Sequence, residues 1–264
     1  LASGHDFYSS PRQNPAGDMI CWLSWDHPNM PWDGCELWVA EFDSSTGTTS
    51  NEQKVTGGAD VSIVQPEWSP NGTLVFITDE SGWWNLTKWS NGKITPILAE
   101  EKDHGGPAWA FGFSTYSFLE DGAIVLKGSK GTGGRFRMIT PNGHEVAEAA
   151  APHSLIAEVN VIGDDVAYIG ASPTSSAEVV KVTLSNGNVT SLKSSSEIDL
   201  DEAYLSVPEE ITFPTTNDAE AHAYYYPPTN PDFEADSAEL PPLLVISHGG
   251  PTSATSSSLS LPLQ

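Results

Sequence analysis

Four residues near the end of the sequence, His248-Gly249-Gly250-Pro251, have the types and spacing for one step of acyl-transfer chemistry. A glycine turn lets backbone N–H groups approach a reacting carbonyl with no side chain in between. Donors placed that way stabilise the oxyanion of a tetrahedral intermediate. The turn needs something rigid to hold it. The preceding Leu243-Leu244-Val245-Ile246, bounded by Pro241-Pro242 and by the glycine pair, predicts a short buried strand that would do so. A plain strand-terminating turn is spelled with the same letters. Context matters, because His104-Gly105-Gly106-Pro107 repeats the motif after Glu100-Glu101-Lys102-Asp103, an acidic run that predicts a loop between strands.

The composition excludes several classes of function. Asp and Glu number 35 against 11 Lys and Arg, a formal net charge of -24 over 264 residues. Nucleic acid and anionic membranes both require clustered basic residues, so neither is an expected partner. No Lys or Arg follows Lys193, while the acidic residues continue from Glu197 to Glu239. A solvated acidic surface accounts for this, and so does an acidic lining for a substrate ammonium, with Glu209 and Glu210 as its candidates. Cys21 and Cys35 form no metal-binding pattern, and His27 between them fits no zinc spacing. Free thiols fit a reducing compartment, which points to the cytoplasm or an organelle stroma. Sequons at Asn71, Asn85 and Asn188 carry no weight without a secretory signal. No apolar run approaches the ~18 residues of a membrane span. No motif asks for a metal or an organic cofactor.

The first two hundred residues lack helical periodicity and repeat a module of turn, short strands and turn. The modules open near Pro11, Pro66, Pro107 and Ile156. Their apolar strands are Met19–Trp25, Leu74–Ile77, Ala123–Leu126 and Val166–Ile169, with a further strand at Val179–Val182 and a hairpin turn at Asn186-Gly187. Spacings of about 40–55 residues match four-stranded propeller blades. All nine tryptophans lie in the first three modules, from Trp22 to Trp109. Large aromatics at repeat-equivalent positions are expected to fill the space between blades. The loop His27–Gly34 interrupts the first module, either as a structural cap or as the lining of a substrate route.

After Lys193 the character changes. A Ser- and acid-rich linker leads to Ile211–Thr215 and Ala221–Tyr226, two strands around Asn217-Asp218, and then to the apolar run before His248. Strand, turn, strand, loop, strand and HGG is the opening order of an α/β-hydrolase domain. The expected fold is therefore mainly β: a partial propeller of about four blades over 1–205, followed over 206–264 by the first strands of an α/β-hydrolase domain.

Glu67-Trp68-Ser69-Pro70-Asn71-Gly72 and Ser81-Gly82-Trp83-Trp84-Asn85-Leu86 stand in the propeller part. Phe213-Pro214-Thr215, Tyr226-Pro227-Pro228-Thr229-Asn230 and Ser247-His248-Gly249-Gly250-Pro251-Thr252 follow in the second part. In this order they resemble the prolyl oligopeptidase family of serine peptidases, on the acylaminoacyl-peptidase and dipeptidyl-peptidase-like side. The resemblance implies Ser-Asp-His acyl-enzyme catalysis on short peptides admitted by the propeller. It makes Gly249 and Gly250 the oxyanion-hole backbone, with Gly250 the donor, and His248 and Pro251 the residues that shape the turn.

One departure matters. No serine in the sequence has the Gly-x-Ser-x-Gly surroundings of a nucleophile elbow. The catalytic Ser, Asp and His are expected downstream of Gln264, and the chain is expected to be inactive alone, as a fragment of something longer. The competing expectations are a non-catalytic propeller that binds a peptide or protein, and an esterase-type hydrolase.

Overall fold

The computed structural model describes residues 1–130, 133–197, 201–236, 239–250 and 253–264. Sixteen strands form four antiparallel four-stranded meanders, each in simple sequential order. The first blade comprises β1 (Phe7–Gln13), β2 (Met19–Trp25), β3 (Glu36–Asp43) and β4 (Thr48–Gly57). The second comprises β5 (Ile63–Trp68), β6 (Leu74–Thr78), β7 (Asn85–Ser90) and β8 (Lys93–Pro96). The third holds β9 (Tyr116–Phe118), β10 (Ile124–Lys130), β11 (Gly133–Ile139) and β12 (Glu145–Ala151). The fourth holds β13 (Leu155–Ile162), β14 (Asp165–Ala171), β15 (Glu178–Thr183) and β16 (Val189–Ser194). This is the four-blade propeller arrangement that the repeated modules predict.

Each blade follows the same local logic. The second strand lies between two others and is covered on both faces, so it is a near-continuous apolar run: six of the seven residues of β2 and all five of β6 are buried. The fourth strand is an exposed edge, and β4 is accordingly built of Thr, Ser, Asn, Glu, Gln and Lys. The turn between first and second strands recurs in three blades. Gly17, Gly72 and Gly122 end it with φ of +81°, +77° and +87°, their N–H groups donating to Asn14, Ser69 and Leu119 carbonyls. A side chain there would be strained, which explains why the repeat keeps glycine.

Three apolar cores join the blades in sequence. Cys21, Leu23, Leu37 and Val39 of blade one meet Ile63, Leu74 and Phe76 of blade two. Val75, Ile77 and Leu86 then meet Tyr116, Ile124 and Ile139. Phe136 and Met138 of blade three meet Val159, Val166, Tyr168 and Val180 of blade four. Ile20, Trp22 and Ala40 cluster with Trp38 and Phe42 on the other side of blade one. On the other side of blade four, Ile169, Val179 and Leu192 are exposed.

The inner strands also share a device that periodicity does not reveal. A bulge interrupts β1, β5 and β13, and at each bulge a non-glycine residue has positive φ: Ser10 (+53°), Gln65 (+48°) and Glu158 (+55°). Such a conformation persists only when its surroundings enforce it. At Gln65 they do. Its amide Nε2 donates to the Tyr116 carbonyl (2.7 Å) and Ser114 Oγ (3.1 Å), and its Oε1 accepts the Thr115 N–H (2.9 Å). Gln65→Leu should therefore leave backbone groups of the next blade unpaired and cost about 2 kcal/mol. A urea midpoint unchanged from the parent would refute that role.

Two sequence expectations need correction. The third module does not open near Pro107; its inner strand starts at Tyr116, and residues 97–115 form a long connection from blade two. The tryptophans also divide. Trp25, Trp68 and Trp89 do pack against the core between blades one and two, but Trp83 and Trp109 are exposed.

Beyond blade four, β17 (Glu209–Pro214) and β18 (Glu220–Tyr225) pair as the expected hairpin around Asn217-Asp218. The rest of 226–250 that is described has neither helix nor strand. Among the described residues no helix is long and apolar enough to cross a membrane.

Candidate functional site

The glycine turn lies on an open stretch of chain. The strand expected at Leu243–Ile246 is not formed, and these four side chains are exposed (79%, 81%, 77% and 62%). The reason is pairing. A strand keeps its geometry when neighbours take up its N–H and C=O groups and cover one face. Among the described residues the β17–β18 sheet has two strands and takes no third. His248 bonds locally, its Nδ1 2.6 Å from the Gly249 carbonyl oxygen. Among the described residues, a Cβ placed on Gly249 or Gly250 would meet nothing within 4 Å, so nothing packs against the Cα of either glycine. Pro251 lies outside the described residues.

The serines after the turn hold one another. Ser256 Oγ lies 2.9 Å from Ser258 Oγ, and Ser257 Oγ lies 3.3 Å from Ser154 Oγ on the connection into blade four. The Leu259 N–H donates to the Ser172 carbonyl at 2.8 Å, and the Gln264 side chain exchanges two hydrogen bonds with the Ser206 backbone (2.7 and 3.0 Å). This tail is thereby seated on one particular face of the propeller. Ser154 and Ser172 belong to the fourth-to-first and second-to-third strand connections, which in an antiparallel meander lie at the same end of the sheet.

The other candidate groups are structural. Glu209 and Glu210 are neighbours on β17, so they point to opposite faces and cannot together hold one ammonium. Three histidines pair with carboxylates. His5 Nδ1 lies 2.8 Å from Asp26 Oδ2 near the start of the chain. His153 is buried with both ring nitrogens engaged, at 2.9 Å from Tyr168 Oη and 2.8 Å from Glu178 Oε1. His104, of the earlier His-Gly-Gly-Pro copy, is buried 2.9 Å from Glu100 Oε2, and burial lowers its affinity for a proton. That copy is a loop, as its acidic prefix predicts. Cys21 and Cys35 are free and buried, and burial pushes both thiols up to about 12, which leaves them unreactive near neutrality. Among the described residues no group of three His, Cys, Asp or Glu side chains is arranged to hold a metal ion.

What sequence reasoning missed lies on the face that seats the tail. The loop His27–Gly34 and the connection 97–115 meet there, and the Trp32 and Trp109 rings contact each other with centroids 4.5 Å apart. Trp25, at the end of β2, and Phe111 form a second contact beside it, with centroids 6.2 Å apart. Of these rings Phe111 also lines a small cavity of about 20 Å³, together with Ser10, Arg12, Gln65, Pro31 and Ala108 among others. The loop thus acts in part as a cap, since the Pro31 carbonyl accepts the Ser62 hydroxyl at 2.6 Å and Asn29 donates to the Ala59 carbonyl at 2.8 Å.

No family model matches the sequence, and no curated protein matches it. Solved structures do. A puromycin hydrolase superposes with a TM-score of 0.86 at 35% identity, over 97% of this chain and 39% of its own. A puromycin-hydrolyzing peptidase from Mycobacterium tuberculosis superposes with a TM-score of 0.82 at 33% identity, over 92% of this chain and 37% of its own. The chain belongs with the prolyl oligopeptidase family of peptidases. Prolyl oligopeptidase B from Galerina marginata shares the fold, with a TM-score of 0.63 at 10% identity over 83% of this chain. The chain spans about two fifths of the length of the first two relatives. Within the family's plan it accounts for propeller blades and the hairpin that follows them.

Proposed function

We propose that this chain is the propeller part and the opening of the hydrolase domain, 1–205 and 206–264, of a serine peptidase that acts on short peptides. The observation that carries this is the order of parts together with their contact. Four blades are followed by the β17–β18 hairpin and the glycine turn, and the tail beyond the turn is hydrogen-bonded to the rim of blade four through Leu259 and Ser257. A hydrolase domain held on that rim would face the propeller. Catalysis would be serine attack on a peptide carbonyl, with the oxyanion held by two backbone N–H groups, one of them from Gly250. The nucleophile, its histidine and its aspartate would come from residues after Gln264, and the glycine turn would gain its walls from the same region.

The open surroundings of Gly249 and Gly250 equally suit a second reading, a propeller that binds peptides without cleaving them. Fluorophosphonate labelling separates the two. The source protein should take one label per chain by intact mass, and the 264-residue chain should take none. An unlabelled source protein would favour the binding propeller, and a stoichiometrically labelled 264-residue chain would overturn the assignment of the nucleophile.

A further inference from the structure

We propose that Asn91 is a site of spontaneous covalent modification: deamidation, through attack of the Gly92 amide nitrogen on the Asn91 side chain. The co-reactant is water, and the inference stands apart from the peptidase reading.

The reaction needs an asparagine, a following residue with no Cβ to block the approach, and a backbone nitrogen free to lose its proton. Asn-Gly meets the first two conditions wherever it occurs. The sequence has it four times, at Asn71, Asn91, Asn142 and Asn186. The third condition separates them. The Gly72 N–H donates to the Ser69 carbonyl at 2.9 Å, the Gly143 N–H to the Thr140 carbonyl at 2.9 Å and the Gly187 N–H to the Thr183 carbonyl at 2.8 Å. Their asparagine side chains are held as well. Asn142 Oδ1 accepts from Lys88 Nζ at 3.0 Å, Asn186 Oδ1 accepts the Asn188 N–H at 2.8 Å, and Asn71 Nδ2 lies 3.5 Å from the Asp121 carbonyl oxygen. At Asn91 both restraints are missing. Among the described residues neither its side chain nor the Gly92 N–H has a hydrogen-bond partner, and both residues are exposed.

The fold explains why this turn differs. Asn91 and Gly92 are the whole loop of the β7–β8 hairpin, closed by the Ser90–Lys93 pair, and their φ angles are +51° and +78°. Positive φ at both central residues is what a type I′ turn requires, and Asn-Gly suits it well. The dipeptide serves folding here, and its lability comes with it. The other three glycines instead close turns in which their own N–H reaches back to a carbonyl. Third-to-fourth strand connections also lie at the opposite end of a meander from those carrying Ser154 and Ser172, so the tail is not seated over this turn.

The Gly92 nitrogen gives up its proton and bonds to Asn91 Cγ, the Cγ–Nδ2 bond breaks, and the side-chain nitrogen leaves as ammonia with that proton. Water then opens the succinimide at either carbonyl, which leaves aspartate or isoaspartate. One water is consumed and one ammonia released. Isoaspartate routes the main chain through Cγ and adds one backbone atom to a two-residue loop, so the Ser90–Lys93 pair cannot close as before. The change should stay within β8, because Ile97 and Leu98 just beyond it donate to the Leu86 carbonyl and pack in the core.

The experiment ages the full-length source protein, folded and in urea, in heavy-oxygen water at mildly alkaline pH, and follows each Asn-Gly by peptide mass spectrometry. The isotope separates conversion during ageing from conversion during digestion. In urea the four sites should react at similar rates, since they share the dipeptide. In the folded protein Asn91 should keep a rate close to its unfolded one, while Asn71, Asn142 and Asn186 slow by about tenfold or more, because a hydrogen bond must break before attack. The Trp89–Lys93 peptide should contain both aspartate and isoaspartate. Asn91→Gly, which takes positive φ without steric cost, should lose the first acidic isoform seen on isoelectric focusing of the aged protein. Protection of Asn91 equal to that of the other three would overturn the proposal. So would faster conversion at any of those three in the folded protein, or an unchanged acidic isoform in Asn91→Gly. The main comparison uses the parent protein in two states, so it does not depend on a variant folding.

Discussion

Replacing Arg137 with leucine should lower the free energy of unfolding by about 3 kcal/mol, read from the urea midpoint at pH 7. Arg137 lies on β11, nearly buried, and its guanidinium is shared between two carboxylates. Nη1 and Nη2 grip both oxygens of Glu100 at 3.0 and 2.7 Å, and Nε donates to Glu145 Oε2 at 2.7 Å. Glu100 belongs to the connection between blades two and three, and it also receives His104. Its backbone is fixed as well, exchanging hydrogen bonds with the Asn85 side chain at 2.8 and 3.1 Å. One side chain therefore ties the long connection to the third blade. Removing one partner of a buried pair strands the other's charge, and the usual cost is about 3–5 kcal/mol. Glu100 and Glu145 are each 35% exposed, so water takes up part of the loss and the lower end applies.

The pH dependence follows from the same contacts. Arg137 holds the Glu100 carboxyl below its ordinary value of 4.5. A depressed carboxyl contributes stability that is fully present above its unfolded value and is lost as the pH falls through its folded value. The part of the difference between parent and Arg137→Leu that acts through Glu100 should then shrink below about pH 4. Burial acts on His104 in the opposite chemical sense, lowering it from 6.5. Its neutral form is favoured in the fold, so its contribution is complete above 6.5 and declines as the pH falls through that value. A constant difference down to pH 3 would show that Arg137 acts through packing rather than through Glu100.

The parts of the fold legible in the sequence are those whose burial is two-sided or whose turns need glycine. Met19–Trp25 and Leu74–Thr78 announce themselves because a middle strand is covered on both faces and must be apolar throughout. Gly17, Gly72 and Gly122 mark the repeat because no other residue takes their φ cheaply. The outer strands are silent, since β16 is exposed throughout, β4 buries none of its residues, and both are built largely of the residues of any polar loop. Proline at 107 misplaced the third blade, because the chain there is a long connection stabilised by Glu100, His104 and Arg137, contacts that local pattern cannot encode. The candidate site was legible only as letters. Leu243–Ile246 has the composition of a buried strand, but a strand exists through its neighbours, and the described residues supply none. The Trp32–Trp109 pair was hidden for a related reason: one ring comes from a loop of blade one and the other from the connection between blades two and three, and only the packing of the blades places them side by side.

In the source protein, Gly250→Pro should reduce kcat/KM for an acylated short-peptide substrate about 10²–10³-fold with KM little changed. Proline deletes the one backbone N–H that the proposed mechanism assigns to the oxyanion, and loss of a single oxyanion donor has an effect of that size. An interaction made only in the transition state lowers kcat and kcat/KM together, which distinguishes this effect from weakened substrate binding. The comparison variant is Gly250→Ala, which keeps the N–H. Gly250 does not adopt positive φ, and a Cβ would meet nothing within 4 Å of it in this chain. Alanine should therefore cost far less than proline, unless the walls supplied by the rest of the protein press closely on the turn. Gly249→Pro serves as the second arm, since the same turn offers two N–H groups and only the geometry of the assembled site selects between them. If Gly250→Pro retains near-parental activity while Gly249→Pro does not, the donor is Gly249. If both retain it, the glycine turn takes no part in holding the oxyanion and serves only to reverse the chain, which its exposed position in this structure already permits.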